Sequence, residues 1–165
     1  MNAALAPILR PQTPLWRYCL TVFSVALLPS AALLFLAMQA LHATGVNVAL
    51  LLPRDRSINA EEIFASVAFA PIAEPLLLAL ALRLLRLLTD NVILMAVISA
   101  LAWGCLHAAQ GLLWFVSTTW SFFVLSCAFL AWRERSFWHA FIAAAVHHAL
   151  INTTALFVLA AQNAA

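Results

Sequence analysis

The sequence predicts an all-α fold, a polytopic membrane helix bundle of about five transmembrane helices in a single domain over residues 1–165. Three observations carry this. The chain is 66% hydrophobic and only 8% charged, against roughly 25% charge in a soluble domain. Its mean hydropathy is +1.02. Its apolar stretches run to about 20 residues each, the length that crosses a ~30 Å hydrocarbon core as a helix. Such a chain lacks the polar surface to face water on all sides. Its basic charge comes from eight arginines and no lysine, scattered along the chain for a net +2, which argues against a nucleic-acid partner.

Each element has local support. Met1–Trp16 contains Pro7, Pro11 and Pro14 and reads as an irregular arm ending at an interfacial Trp. The first helix is centred on Leu20–Leu41 and extends over residues 17–42. It is too long for the apolar region of a signal peptide, so the expectation is an uncleaved span. Ala43–Asn59 breaks the pattern with Gly45, Pro53 and Arg54-Asp55-Arg56, its middle stretch Val46–Leu52 lying in the interface. Asn59 followed by Glu62 has capping-box spacing, so a second helix begins near Ala60 and ends around Arg83–Arg86. Pro71 and Pro75 fall inside it; each removes a backbone donor, which predicts a kink and unpartnered carbonyls at Val67 and Pro71. Thr89-Asp90-Asn91 caps a third helix from Val92 to about Gln110. Gly111 marks a turn, Leu112–Trp132 makes a fourth helix, and a fifth runs from Phe137 to about Ala161.

In a five-helix layout Arg10, Arg17, Arg83, Arg86, Arg133 and Arg135 share one side, against Arg54 and Arg56 on the other. The excess predicts a cytoplasmic N-terminus and an external C-terminus for an integral membrane protein. Trp16, Trp114, Trp132 and Trp138 lie near helix ends and read as an aromatic belt. Cys19, Cys105 and Cys127 have no metal-like spacing and read as small buried hydrophobes. His42 and His139, near helix ends, read as interfacial.

Three polar stretches interrupt the apolar segments: Ala70-Pro71-Ile72-Ala73-Glu74-Pro75, Trp103-Gly104-Cys105-Leu106-His107 and His147-His148-Ala149-Leu150-Ile151-Asn152. A charged group at the centre of a membrane helix costs about 2.5–3.5 kcal/mol on insertion scales, so ionisable residues there mark function by default. Glu74 is the sharpest of them. Glu61 and Glu62 sit at a helix start, where capping and the helix dipole account for them. Trp103 and His107 are four residues apart on one helix face, as are His148 and Asn152; His147 points about 100° from His148. One carboxylate, two imidazoles and a carboxamide permit two chemistries. Glu74, His107 and His148 could hold zinc with an open position for water. Alternatively, Glu74 acts as general base on a water, with His and Asn stabilising the oxyanion and no cofactor. Either hydrolyses an amide bond.

These motifs are where the chain resembles a known family, the CPBP intramembrane endopeptidases, which include type II CAAX prenyl proteases and bacteriocin-processing or immunity homologues. Members carry E-E-x-x-x-R, usually preceded by Pro, then F-x-x-x-H and H-x-x-x-N on successive helices. Pro71-Ile72-Ala73-Glu74 matches the lead-in and first Glu; Trp103-x-x-x-His107 matches the second motif with an aromatic exchange. His148-Ala149-Leu150-Ile151-Asn152 matches the third, and Arg135-Ser136-Phe137-Trp138 is similar to the segment before it. The resemblance covers roughly Glu62–Leu156, within a core of residues 60–162 that leaves the first helix outside. Pro75 replaces the second Glu and Ala79 the Arg. The resemblance implies an endopeptidase with catalytic Glu74, His107, His148 and Asn152: Glu74 activates water, His107 positions it, and His148 and Asn152 brace the oxyanion. The implied substrate is a membrane-associated protein or peptide. Alternatives are a catalytically inactive relative acting in bacteriocin immunity or as an accessory binding protein, and a proton-relay or transport subunit.

Overall fold

The computed structural model describes residues 5–11, 14–52 and 58–163; the predicted charged run Arg54-Asp55-Arg56 lies outside them. Among the described residues the chain is helical, with no strand. A short helix α1 (Ala6–Leu9) precedes five long ones: α2 (Leu15–Ala43), α3 (Ala60–Leu85), α4 (Val92–Ala108), α5 (Leu112–Arg133) and α6 (Phe137–Asn163). The all-α bundle is therefore the fold. Helices α2, α3, α5 and α6 are long and apolar enough to cross a membrane. At 17 residues, α4 is shorter, about 25 Å at 1.5 Å per residue, the lower limit for a span.

The predicted starts coincide with side-chain caps. Asn59 Oδ1 accepts the Glu62 backbone N–H at 2.8 Å and opens α3, while Asn91 Oδ1 accepts those of Ile93 and Leu94 at 3.1 Å and opens α4. Helix α2 ends on Gly45, whose φ of 76° is the left-handed conformation glycine reaches without Cβ strain. Beyond it a 3₁₀ turn, Val48–Leu50, docks on the start of α5 through Leu113 N–H to the Leu51 carbonyl at 3.0 Å.

The N-terminal arm departs from expectation. Its described part is not irregular: Ile8 is buried, and Tyr18 Oη donates to the Ile8 carbonyl at 2.6 Å, fastening α1 to α2. A short apolar turn supplies one buried anchor and one carbonyl, enough for a buried tyrosine to hold.

Helix α5 is the hub. Of its apolar window 44% is buried, against 17–22% for the other three spans. Leucines and phenylalanines such as Leu28, Phe35, Leu77, Leu84, Leu106 and Phe157 lie exposed on the outside, the surface a bilayer would cover. Helix α4 meets α5 through small residues one turn apart, Ala96, Ala100 and Gly104, all buried, the spacing that lets membrane helices approach closely. At Gly104 an added Cβ would collide with Thr119 Oγ1 and meet Phe115 at 3.2 Å. Thr119 cannot easily yield, because its hydroxyl donates to the Phe115 carbonyl at 2.6 Å. Deeper in, Ser126 Oγ donates to Ser99 Oγ at 3.1 Å.

Two of the predicted side-chain placements are corrected. Trp132 is not part of an interfacial belt: it is buried, edge-on to Tyr18 and stacked on His139. Trp16 and Trp138 are exposed, as a belt requires. Cys19 and Cys127 are buried, but Cys105 is exposed, because the contact face of α4 is taken by the small residues and its neighbour in sequence must turn outward.

Candidate active site

The site grows out of a break in α3. Residues Ala65–Phe69 form a π turn, in which the Ala70 N–H reaches back to the Ala65 carbonyl rather than to Ser66. In that register the next N–H would serve the Ser66 carbonyl, but residue 71 is proline and has none. Ser66 therefore offers a backbone acceptor that its own helix cannot fill, one residue before the Val67 carbonyl that an unbroken α register would expose. Asn152 of α6 fills it: Asn152 Nδ2 donates to the Ser66 carbonyl at 2.8 Å. Inside a bilayer a freed carbonyl persists only where protein or enclosed water satisfies it. The Ser66 hydroxyl donates to Glu62 Oε1 at 3.0 Å, so this turn is held from two directions.

With α3 docked on α6 in this way, Glu74 and His148 meet. Glu74 Oε2 lies 3.7 Å from His148 Nε2, the two side chains retaining 22% and 7% of their exposure. That separation exceeds a hydrogen bond. Among the described residues Glu74 Oε2 and His148 Nδ1 are buried without a hydrogen-bond partner. Glu74 Oε2 and His148 Nε2 thus face each other across a short gap between two apolar helices.

His107 approaches from α4. Its Nδ1 lies 2.9 Å from the Trp103 carbonyl one turn back. A carbonyl can only accept, so Nδ1 carries a proton. The imidazole rests 5.4 Å from the Phe122 ring, centroid to centroid. His148 meets the same ring edge-on at 5.6 Å, and Trp103 stacks on it at 4.6 Å. Phe122, projecting from α5, is thus the wall on which the two histidines converge from α4 and α6.

The four residues singled out from sequence come together in two tiers. Glu74 and His148 face each other directly. His107 joins them through Phe122, and Asn152 stands one turn along α6 with its amide engaged by Ser66. His147, on the other side of the same helix, is 1% exposed, and neither ring nitrogen has a partner among the described residues. Arg83 is exposed on the outside of α3, away from the carboxylate. Glu74, His107 and His148 do not close into a metal-ligand set; among the described residues no three His, Cys, Asp or Glu side chains do.

Sequence reasoning missed Ser66 and Phe122. Phe122 is one of eleven phenylalanines, and nothing local distinguishes it. Ser66 had a weak signal, a hydroxyl residue five positions before a proline, which matters only once the helix adopts a π turn. Comparison of the chain with protein-family models, curated proteins and solved structures gives no match. The resemblance to CPBP endopeptidases rests on the three motifs.

Proposed function

We propose that this membrane protein is a glutamate-dependent intramembrane endopeptidase of the CPBP kind, cutting a membrane-associated protein or peptide. The carrying observation is the Glu74–His148 pair, a carboxylate and an imidazole 3.7 Å apart on two apolar helices. A structural carboxyl in such a setting would be expected to hydrogen-bond a neighbouring helix; the buried oxygen of Glu74 does not.

The reaction uses this chain's own groups. A water bound against the partly exposed Glu74 carboxylate gives its proton to that carboxylate as its oxygen adds to the scissile carbonyl. His148, in the tautomer with its proton on Nε2, donates to the oxygen that becomes negative. When the tetrahedral intermediate collapses, the C–N bond breaks and Glu74 returns the proton to the leaving amine. Asn152 is a positioning residue in this scheme, because its amide is spent on Ser66 and secures the turn that presents Glu74. His107 and Phe122 form the opposite wall, with His107 orienting the water. In this scheme Glu74 carries the proton and His148 stabilises the developing charge.

The proposed setting is a bacterial inner membrane with the N-terminus cytoplasmic and the C-terminus outside, supported by the arginine excess at one end of the bundle.

A second reading is a non-catalytic relative that binds a membrane peptide in an immunity or accessory role. Pro75 and Ala79, in place of the Glu and Arg of the resembled motif, favour it, as does the engagement of Asn152 by backbone. One experiment separates the two. Wild-type protein and Glu74→Gln are reconstituted in lipid nanodiscs with a library of membrane-anchored peptides, and new peptide ends are read by mass spectrometry. The protease reading expects products from wild type that disappear in Glu74→Gln. Products that persist in the variant, or peptide capture by both without cleavage, reject it.

A further inference from the structure

The bundle is packed unevenly on the two sides of the Glu74–His148 pair. Glu74, His148 and Phe122 each stand eleven residues from the terminus of their helix at the arginine-bearing end, about 16 Å at 1.5 Å per residue. Between that level and that end the interior is closed. Val22, Leu78, Met95, Phe129 and Ala140, one from each of the five long helices, are at most 2% exposed. An interior of this kind is packed to the density of an organic crystal and has few voids that admit a water. Beyond the pair, toward the other end, the buried residues thin out to Ser30, Pro71, Gly104 and Leu113 among the described residues. None falls on residues 31–43 of α2, 60–70 of α3 or 149–161 of α6.

Helix lengths account for the difference. Helix α4 has 17 residues, against 26 in α3 and 27 in α6. Short turns hold α3 to α4 and α5 to α6 at the arginine-bearing end, so α4 stops about 13 Å short of the far end of α3. His107, in the last turn of α4, therefore lies below the rim that α2, α3 and α6 set. The splayed half is also polar. Ser66, His107, Ser117, Thr119, Asn152 and Thr154 are half-buried in it, whereas Tyr18 and Ser126, interior hydroxyls of the closed half, are fully buried. Glu74, at the boundary, keeps 22% of its side-chain exposure. Ionisable and polar side chains at membrane depth face protein or a water-filled cavity, and a gap is wet where it is roomy and offers water several partners.

We infer that the splayed half is a water-filled vestibule, and that the Glu74–His148 pair is reached through it from the end where α2 and α6 finish, opposite the arginines. In the proposed orientation that end is external. Water for hydrolysis and the scissile segment both arrive from there, so the substrate class is a protein or peptide whose cleavable segment emerges on the external side of the membrane. The route stands on packing, and its use by a substrate rests on the protease reading.

The test is the sidedness of thiol labelling, which needs no cleavage. The exposed Cys105 is replaced by Ala, while Cys19 and Cys127 are buried and stay. Into that background go Thr154→Cys in the vestibule and Glu74→Cys in the site, with Thr44→Cys and Glu134→Cys, both at exposed positions, as markers of the two ends. Right-side-out and inside-out membrane vesicles are treated with membrane-impermeant sulfonatoethyl methanethiosulfonate, and modification is read by mass spectrometry of the intact chain. Thr154→Cys and Glu74→Cys should be modified in the vesicles where Thr44→Cys reacts, and that modification should be lost where Glu134→Cys reacts. Ala73→Cys, half-buried beside Glu74, repeats the test if Glu74→Cys does not fold. Modification from the Glu134 side, from both sides or from neither overturns the route, as does a reactive Thr154→Cys with an unreactive cysteine at 74 and 73. Labelling as expected without any cleavage product keeps the vestibule and removes the protease reading; cleavage with labelling from the Glu134 side does the reverse.

Discussion

Prolines interrupt two helices of this bundle, and the two breaks are repaired differently. In α2, Pro29 deprives the Val25 carbonyl of its helical donor, and Trp120 Nε1 of α5 supplies one at 3.0 Å. The neighbouring residue Ser30 reinforces the joint by donating to the Ser117 carbonyl at 2.9 Å. Every polar group that this break frees or adds has a partner, and no ionisable side chain is involved. In α3, Pro71 together with a π turn exposes the Ser66 carbonyl, and Asn152 of α6 fills it. Here an ionisable group is left unmet: three residues past Pro71, Glu74 carries a buried oxygen with no hydrogen-bond partner among the described residues, facing His148. The lesson is that a proline inside an apolar helix is not itself a functional mark. A proline whose break is closed by a neighbour is structural; one that delivers an unsatisfied carboxylate to an imidazole is a candidate for chemistry.

Four tests would break or sharpen this contrast. The largest effect is expected from Glu74→Gln. Removing a general base costs about 10²–10⁴ in rate, so peptide cleavage should fall by that factor with the melting temperature unchanged or raised, since no partnered group is lost. Next, His148→Ala should lower cleavage by about 10²–10³, the scale of one oxyanion donor, with a smaller loss of stability from the space it leaves against Phe122.

Asn152→Ala tests the repair in α3. It leaves the Ser66 carbonyl unpartnered in the membrane interior and should cost about 1–2 kcal/mol, measured by thermal unfolding in micelles, and reduce cleavage through misplacement of Glu74. Adding Pro71→Ala restores a backbone N–H near that carbonyl, so the double variant should be more stable than Asn152→Ala alone. If the two substitutions simply add, the π turn is not what Asn152 secures. The smallest effect belongs to Trp120→Phe, which removes the donor to Val25 and should cost about 0.6–1 kcal/mol with cleavage untouched. Pro29→Ala should recover that loss. A fall in cleavage for Trp120→Phe would erase the distinction between the two breaks.

Much of the architecture was legible in the chain. Apolar lengths, the caps at Asn59 and Asn91 and the breaks at Gly45 and Gly111 are local signals, and the helices begin and end within a few residues of them. The N-terminal arm was not, because Ala6–Leu9 is fastened by Tyr18, a contact ten residues away. Trp132 was misjudged for a similar reason: position near a helix end does not say which way a side chain points. Of the candidate site, the residue types and their helix faces could be read, since Glu74, His107, His148 and Asn152 are polar groups where hydrocarbon surroundings make polarity costly.

What the sequence determined by itself is a membrane bundle of five long helices with polar residues held on three of them, since length, hydropathy and capping act between residues near in sequence. Which of those residues touch was decided by tertiary structure. The α5 hub sets Phe122 between two histidines, and a register shift of one hydrogen bond in α3 gives Asn152 its partner. Both depend on helices far apart in sequence meeting in a particular register. Local patterns do not encode that register, because it is chosen by how small residues such as Gly104 and Ala100 allow neighbouring helices to approach.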